Sequence, residues 1–435
     1  MRFVEGLKLT VVMTSIGALL CAISGIFFVH TAHAQSSTPV LTEKSAQKLP
    51  GWQPGALDIH HIATGQGNAT LVIMPDGTSL LIDVGATGGA PDVTAAPRPD
   101  GSKRAGEWVA RYTQRHLKSV GRSALDYMLL THIHPDHIGD VSAATPMSSN
   151  GSYRLTGAID VADAMPVDVI IDRGFPAYDY PVVETRPYAQ NYMAFVKARL
   201  TRKERVERFL VGSVEQVKGR GHVKSDATFG VRNIVANGEL WSGSGSTVTS
   251  MFPPLSSLVP SDYPTENMCS IGIKIFSGKF AYFTGGDLTS DTSFGAQPWR
   301  DILTPAVKVA GRVDVATADH HGLYDALTPD IARILRPQAW VLQTWHISHP
   351  SPQQLDIMLS EKLHGKSPDI FATNVVNENF RVNARHMRRL RSVDGHVVIR
   401  VAPGGASFMI YVTDHQDESD TVKLTAGPYR SASFP

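Results

Sequence analysis

The chain has 435 residues, 42% hydrophobic and 19% charged, with a formal charge of +1 at pH 7. That length and apolar share exclude disorder as the main state and leave ample material for a large core. The near-zero charge excludes a whole-molecule field that would steer the chain to nucleic acid, while a local basic patch stays open.

The N-terminus reads "MRFVEGLK", then the uncharged apolar run "LTVVMTSIGALLCAISGIFFV", then "TAHA" at Thr31 to Ala34, with small residues before a cut. This is the pattern of a secretory signal cleaved after Ala34, which makes the expected location periplasmic or secreted. The run is long enough that an uncleaved anchor stands as the alternative. Cys21 leaves with the signal, and Ala18 three residues before it is a poor lipoprotein mark. Cys269 is then the mature chain's single cysteine, so no internal disulfide forms and stability must come from the core and bound metal.

The domain plan is a signal over 1–34, a polar lead over 35–54, a hydrolase domain over 55–415 and a polar tail over 416–435. Within it, "ALDIHHI", "ATLVIMP" and "TSLLIDVG" read as three short strands, the last two joined at the "PDG" turn. "GEWVARYTQRHLKSV" has helical apolar spacing, and "ALDYMLL" is a buried strand that delivers the chain to His132. About 141–262 reads as an insertion, containing the strand "VDVIID" and a helix over "YAQNYMAFVKARLTRKERVERFL". Strand texture returns at "SIGIKIFSGKFAYFTGGD", followed by "VDVATADHHG", the helix "TPDIARIL", the strand "AWVLQTW" and a helix at "SPQQLDIMLSEKL" with Ser351 as N-cap. A final hairpin, "HVVIRVAPGGASFMIYV", precedes the tail. Strands, a helix, more strands and then alternating units predict an α/β fold of two sheets covered by helices.

Chemistry concentrates in "LLTHIHPDHIGD", Leu129 to Asp140. Alternate residues of an extended segment point the same way, so His132 and His134 can converge on one ion. Asp136 and His137, where the chain turns after Pro135, can face a second ion. Imidazole and carboxylate donors suit zinc, with manganese or iron as alternatives. Two ions need further ligands, and Asp287 in "YFTGGD" and His320 or His321 in "TADHHG" sit at later strand ends. Spacing does not decide between the two histidines. Asp83 in "LLIDVG" is read as the partner of a ligand histidine and not as a ligand.

The order "IDVG", "THIHPDHIGD", "FTGGD", "HHG" resembles the metallo-β-lactamase superfamily. "GQGNATLVI", "ENMCSIGIKI" and "HISHPSPQQL" look like segments of the hydrolase domain of ComEC-type competence proteins and of related exported phosphorylcholine esterases. The resemblance spans about Leu57 to Leu363. It implies an αββα four-layer sandwich with a dinuclear metal site at one edge. The pattern departs in two places. The histidine that many members place between the first motif and the bridging Asp is missing, leaving His222 and Asn267 as candidates, and Leu323 stands where the competence proteins carry Ser after "HHG".

Two close divalent ions bind a water between them and lower its pKa toward neutrality, so the expected reaction is attack by that hydroxide on a phosphodiester, with Asp136 orienting it. The substrate is a small molecule or a polymer: a nucleotide, a nucleic acid acting only as substrate, or a phosphocholine-type compound. His349, with His346 nearby, is a candidate proton donor to the leaving group, and Arg173 a candidate to neutralise phosphate. Phe175, Tyr178, Tyr180 and Tyr188 are candidates to wall the pocket, while Cys269 is read as a core residue. Two alternatives stand: an acyl hydrolase such as a lactonase or β-lactamase, and a non-catalytic metal-binding protein.

Overall fold

The structure is a computed structural model that describes residues 47–88, 93–225 and 228–432. The expected signal peptide, Cys21 and most of the polar lead lie outside the described residues.

The described strands form two sheets. The first contains β1 (Leu57–His61), β2 (Ala69–Ile73), β3 (Ser79–Val84), β4 (Leu125–Leu130), β5 (Val167–Asp172) and β6 (Arg205–Arg208). The second contains β7 (Phe229–Ala236), β8 (Glu239–Trp241), β9 (Val248–Ser250), β10 (Gly272–Ser277), β11 (Phe280–Thr284), β12 (Val315–Thr317), β13 (Ala339–Leu342) and β14 (Asp369–Ala372). β15 (His396–Val401), β16 (Ser407–Thr413) and β17 (Val422–Arg430) return to the first sheet, beside β1.

Side-chain alternation builds the layers. Along β4, Tyr127 and Leu129 enter the core between the sheets, while Met128 and Leu130 face the opposite way. That outer face is covered by helices Ala105–Ser119, Ala158–Ala164 and Pro187–Thr201. Along β11, Phe280 and Tyr282 meet the same central core. Ala281 and Phe283 face helices Leu303–Ala310, Pro329–Leu335 and Pro352–Met358. Both faces of these strands are dry, which is why they read as near-continuous apolar runs. The result is the expected αββα sandwich.

Three expectations need correction. The segment 141–262 is no simple insertion, because β5 pairs in parallel with β4, and β7 pairs with β10 in the middle of the second sheet. The long helix stops at Thr201, where Lys203 takes a positive φ of 61° and Arg205–Arg208 pairs with β5. The polar tail is in part an edge strand, with β17 antiparallel to β16 and Ala426 buried against the central core. Its alternating polar residues hide a strand that is half solvated.

The parallel pairing decides where chemistry collects. β3, β4 and β5 run together, as do β11, β12, β13 and β14. The carboxyl end of β3 carries Asp83, and the segments after β4, β11, β12 and β13 carry the HxHxDH motif, Asp287, the histidine pair and His349. Carboxyl ends of parallel strands are the general location of ligand sites in α/β sheets.

Candidate metal centre

After β4 the chain bends through His132 and Ile133 to an extended His134 and then turns into one helical turn, Pro135–Ile138, with Pro135 at its first position. Glycines let another loop pass beneath it. A Cβ on Gly85 would lie 2.0 Å from the Asp136 carbonyl oxygen, and one on Gly67 2.4 Å away. Asn68 donates its backbone N–H to that same oxygen at 2.8 Å.

Two groups of ligand atoms result, each with all its atoms within 4.8 Å of one another: His132, His134 and Asp287, and Asp136, His137, Asp287 and His321. Asp287 is common to both. In the first group His132 Nε2 and His134 Nδ1 are 3.0 Å apart, and His132 Nε2 is 3.7 Å from Asp287 Oδ2. In the second, His137 Nε2 is 3.1 Å from Asp287 Oδ1, and His321 Nε2 is 2.8 Å from Asp136 Oδ2 and 3.5 Å from Asp287 Oδ2.

The residues fit a pair of divalent ions. His137 Nε2 and Asp287 Oδ1 are buried and make no hydrogen bond, although they face each other. Two orphaned donors at that separation suit the edge of a tetrahedral site with bonds of about 2.0–2.2 Å. The neighbouring contacts fix the ring faces. Thr131 donates its N–H and its hydroxyl to Asp83, and His137 Nδ1 donates to Asp83 Oδ2 at 2.8 Å. His321 Nδ1 donates to the Gln343 carbonyl oxygen at 3.0 Å. In both rings Nε2 is left to face the carboxylates. Asp83, His320 and His321 hold φ of 57°, 45° and 55°. Such conformations cost on the order of 1–3 kcal/mol each away from Gly and concentrate at functional sites.

Electrostatics divides the histidines. Burial and the neighbouring His137 push His132 well below the ordinary imidazole value, and burial lowers His134. Burial opposes charge on His137 and His321 too, but Asp287 and Asp136 outweigh it, raising His137 well above the usual value and His321 to about 9. The same contacts hold Asp136 and Asp287 well below the carboxylate range against the penalty of burial.

The choice between His320 and His321 is made by direction. His320 Nδ1 lies 2.7 Å from Asp325 Oδ1 and its Nε2 3.1 Å from Asn267 Nδ2, leaving it 3.9 Å from Asp287. His321 lies within the second group. Asn267 shares a cavity with His134, and its Oδ1 is buried without a hydrogen-bond partner. His349 is buried and stacks on His321, with ring centroids 4.5 Å and planes 13° apart. His346 is more exposed, bonded to Ser348 at 2.9 Å, with its ring centroid 5.5 Å from that of His349.

Two candidates fall away. His222 lies 2.7 Å from Asp126, at the start of β4 and so at the opposite end from His132. Arg173 is buried and spends most of its guanidinium on Glu266, on Asn237 Oδ1 at 2.9 Å and on the Tyr180 carbonyl at 3.1 Å, its charge matched by the Glu266 carboxylate. Tyr178 and Tyr188 pack in the core under the first sheet's helices with Phe175 against them, and Tyr180 packs on the other helical side. None of the four lines the cavity beside His134. Burial pushes the Cys269 thiol up to about 12, in keeping with a core role. Thr131 and Glu266 were not foreseen. Thr131 braces Asp83, and Glu266 accepts the Ile133 N–H at 2.6 Å, pinning the bend between the two ligand histidines. The signal for Thr131 was its position before the motif, while nothing local marked Glu266.

This geometry defines a class of site, a candidate two-cation centre on strand ends of an αββα sandwich. Residues 62–145, which carry Asp83 and the whole HxHxDH motif, match the family model of the metallo-beta-lactamase superfamily. The match covers the stretch that bears the motif, and the αββα sandwich around it agrees with the fold of that superfamily. No curated protein matches the sequence. Among solved structures, a diphosphatase from the PhnP family is similar at 12% identity and TM-score 0.29, over 66% of this chain and 85% of that one. Human tRNase Z, short form, is similar at 11% identity and TM-score 0.26, over 73% and 92%. A CmlA beta-hydroxylase mutant is similar at 12% identity and TM-score 0.37, over 74% and 53%.

Proposed function

We propose that the protein is an exported, binuclear metal-dependent phosphodiesterase. The observation that carries this is the shared carboxylate: Asp287 belongs to both ligand groups, so one side chain joins two adjacent cation positions. The first position would be held by His132, His134 and Asp287, and the second by Asp136, His137, Asp287 and His321. When bound, such a pair of ions supplies activation of water near neutral pH and polarisation of the oxygen under attack. The protein's own groups do the rest. Asp83 and the Gln343 carbonyl fix the Nε2 faces of His137 and His321. Asp136, 2.8 Å from His321, orients the attacking water through its carboxylate. His349 stacks on His321, and because burial holds it well below the ordinary imidazole value, its role would be a hydrogen bond to the departing oxygen as a neutral ring.

A phosphodiester is favoured over a lactam or lactone by the cavity of about 410 Å³ beside His134, whose lining includes Asn267, Thr289 and Arg300. Within the superfamily, the Asn-x-x-Ser and His-Pro segments support a relation to the ComEC-type hydrolase domain and the exported phosphorylcholine esterases. The sequence of Met1 to Ala34 supports export, and among the described residues no helix is long and apolar enough to cross a membrane.

The test is metal analysis of the purified protein, with zinc the expected metal, followed by turnover of phosphodiester, lactone and lactam reporters by wild type and Asp136→Ala. Expected are about two ions per chain and a phosphodiesterase activity that falls about 10³-fold in the variant. Lactam or lactone cleavage without phosphodiester cleavage would establish the acyl hydrolase instead, and a protein without bound transition metal would overturn both.

A further inference from the structure

We propose that Arg300 is the residue that selects anionic esters, by holding a phosphoryl oxygen of the substrate on the His134 side of the centre. This rests on the phosphodiester reading above and assigns its specificity to one side chain.

Arg300 lines the same cavity as His134 and Asn267. It closes the short turn Pro298–Arg300, and its guanidinium carbon lies 5.7 Å from the Trp299 ring centroid. Among the described residues its guanidinium makes one long hydrogen bond, 3.4 Å from Nη1 to Gln297 Oε1, and its Nε is buried with no partner. Among the described residues no carboxylate lies within ion-pairing distance of it.

The other charged groups around the cavity are paired with an opposite charge, Asp291 excepted. Arg186 is paired with Glu184, which also accepts the Arg186 backbone N–H at 2.9 Å. Glu266 is taken by Arg173, Asp325 by His320 at 2.7 Å, and Asp291 accepts the Ser293 N–H at 2.9 Å in its own turn. Among the described residues Arg300 is thus the cavity-lining arginine without a carboxylate partner. A guanidinium offers a planar fork of donors that matches phosphoryl oxygens two at a time. A neutral lactone or lactam would gain nothing from it and would leave a half-buried charge unmatched, which turns the same contact into discrimination.

The experiment compares wild type, Arg300→Met, Arg300→Lys and Arg186→Met in the metal-loaded protein. KM and kcat are measured with bis(p-nitrophenyl) phosphate, and binding of inorganic phosphate is measured by calorimetry. Arg300→Met should raise KM and weaken phosphate binding by about tenfold or more with kcat within about threefold, and Arg300→Lys should fall between it and wild type. Arg186→Met should change either by less than about twofold. Unchanged phosphate binding in Arg300→Met, or an equal loss in Arg186→Met, would overturn the assignment to Arg300. A wild type that binds phosphate through Arg300 yet cleaves no phosphodiester would overturn the substrate reading alone.

Discussion

His137 Nδ1 lies 2.8 Å from Oδ2 of Asp83, and the contact decides which nitrogen of His137 faces the centre. An ionised carboxylate only accepts, so Nδ1 carries the proton and Nε2 keeps its lone pair for a cation. Asp83→Asn removes that constraint and should weaken metal affinity by about 10–100-fold, read by competition with a chromophoric chelator, with the far-UV spectrum unchanged. Affinity equal to wild type would mean that Asp83 does not orient the ring.

His320 and His321 are neighbours with opposite assignments. His321→Gln should lose about one equivalent of bound metal, because it belongs to the four-residue group, while His320→Gln should keep both and shift only kinetic constants. Elemental analysis of the two variants decides it. The reverse pattern would exchange their roles.

The charged histidines make metal binding and stability depend on pH. In protein stripped of metal, His321 is held at about 9: burial alone would lower it, and the Asp287 and Asp136 carboxylates raise it. With an unfolded value near 6.5, this stabilisation is fully present below about pH 6.5 and is lost as pH rises through about 9. The chelated protein should therefore lose Tm between those pH values, and His321→Gln should flatten the dependence. A Tm that climbs over the same range would contradict the assignment. At pH 7 metal binding should release protons, detectable as a dependence of the calorimetric heat on buffer.

Arg173 is structural. Arg173→Met leaves Glu266 buried without its cation and should cost about 3–5 kcal/mol of stability, read as a lower urea midpoint, with phosphate inhibition unchanged. A marked loss of phosphate inhibition at unchanged stability would return Arg173 to the substrate.

The centre was legible in the sequence where its residues are contiguous or end an obvious strand. Alternation in an extended segment predicts that His132 and His134 converge, and the apolar run Leu125–Leu130 announces the strand that delivers them. Asp83, Asp287 and the histidine pair were found by the same signal, a polar residue closing a buried strand at a glycine. Composition and strand pattern likewise sufficed for a layered α/β fold. What the tertiary structure decided depends on groups remote in the chain. His321 rather than His320 faces Asp136 because Gln343, at the end of β13, holds the ring through its carbonyl. Arg173 and His222 look free in the sequence, and they are claimed by Glu266 and Asp126, which sit 93 and 96 residues away. β5 looks like part of an insertion because parallel pairing leaves no local hairpin mark, and β7 because its antiparallel partner β10 lies far along the chain. Periodicity and turn chemistry act between near neighbours and are written locally. The matching of buried charge to buried charge is settled only when distant strands are brought side by side.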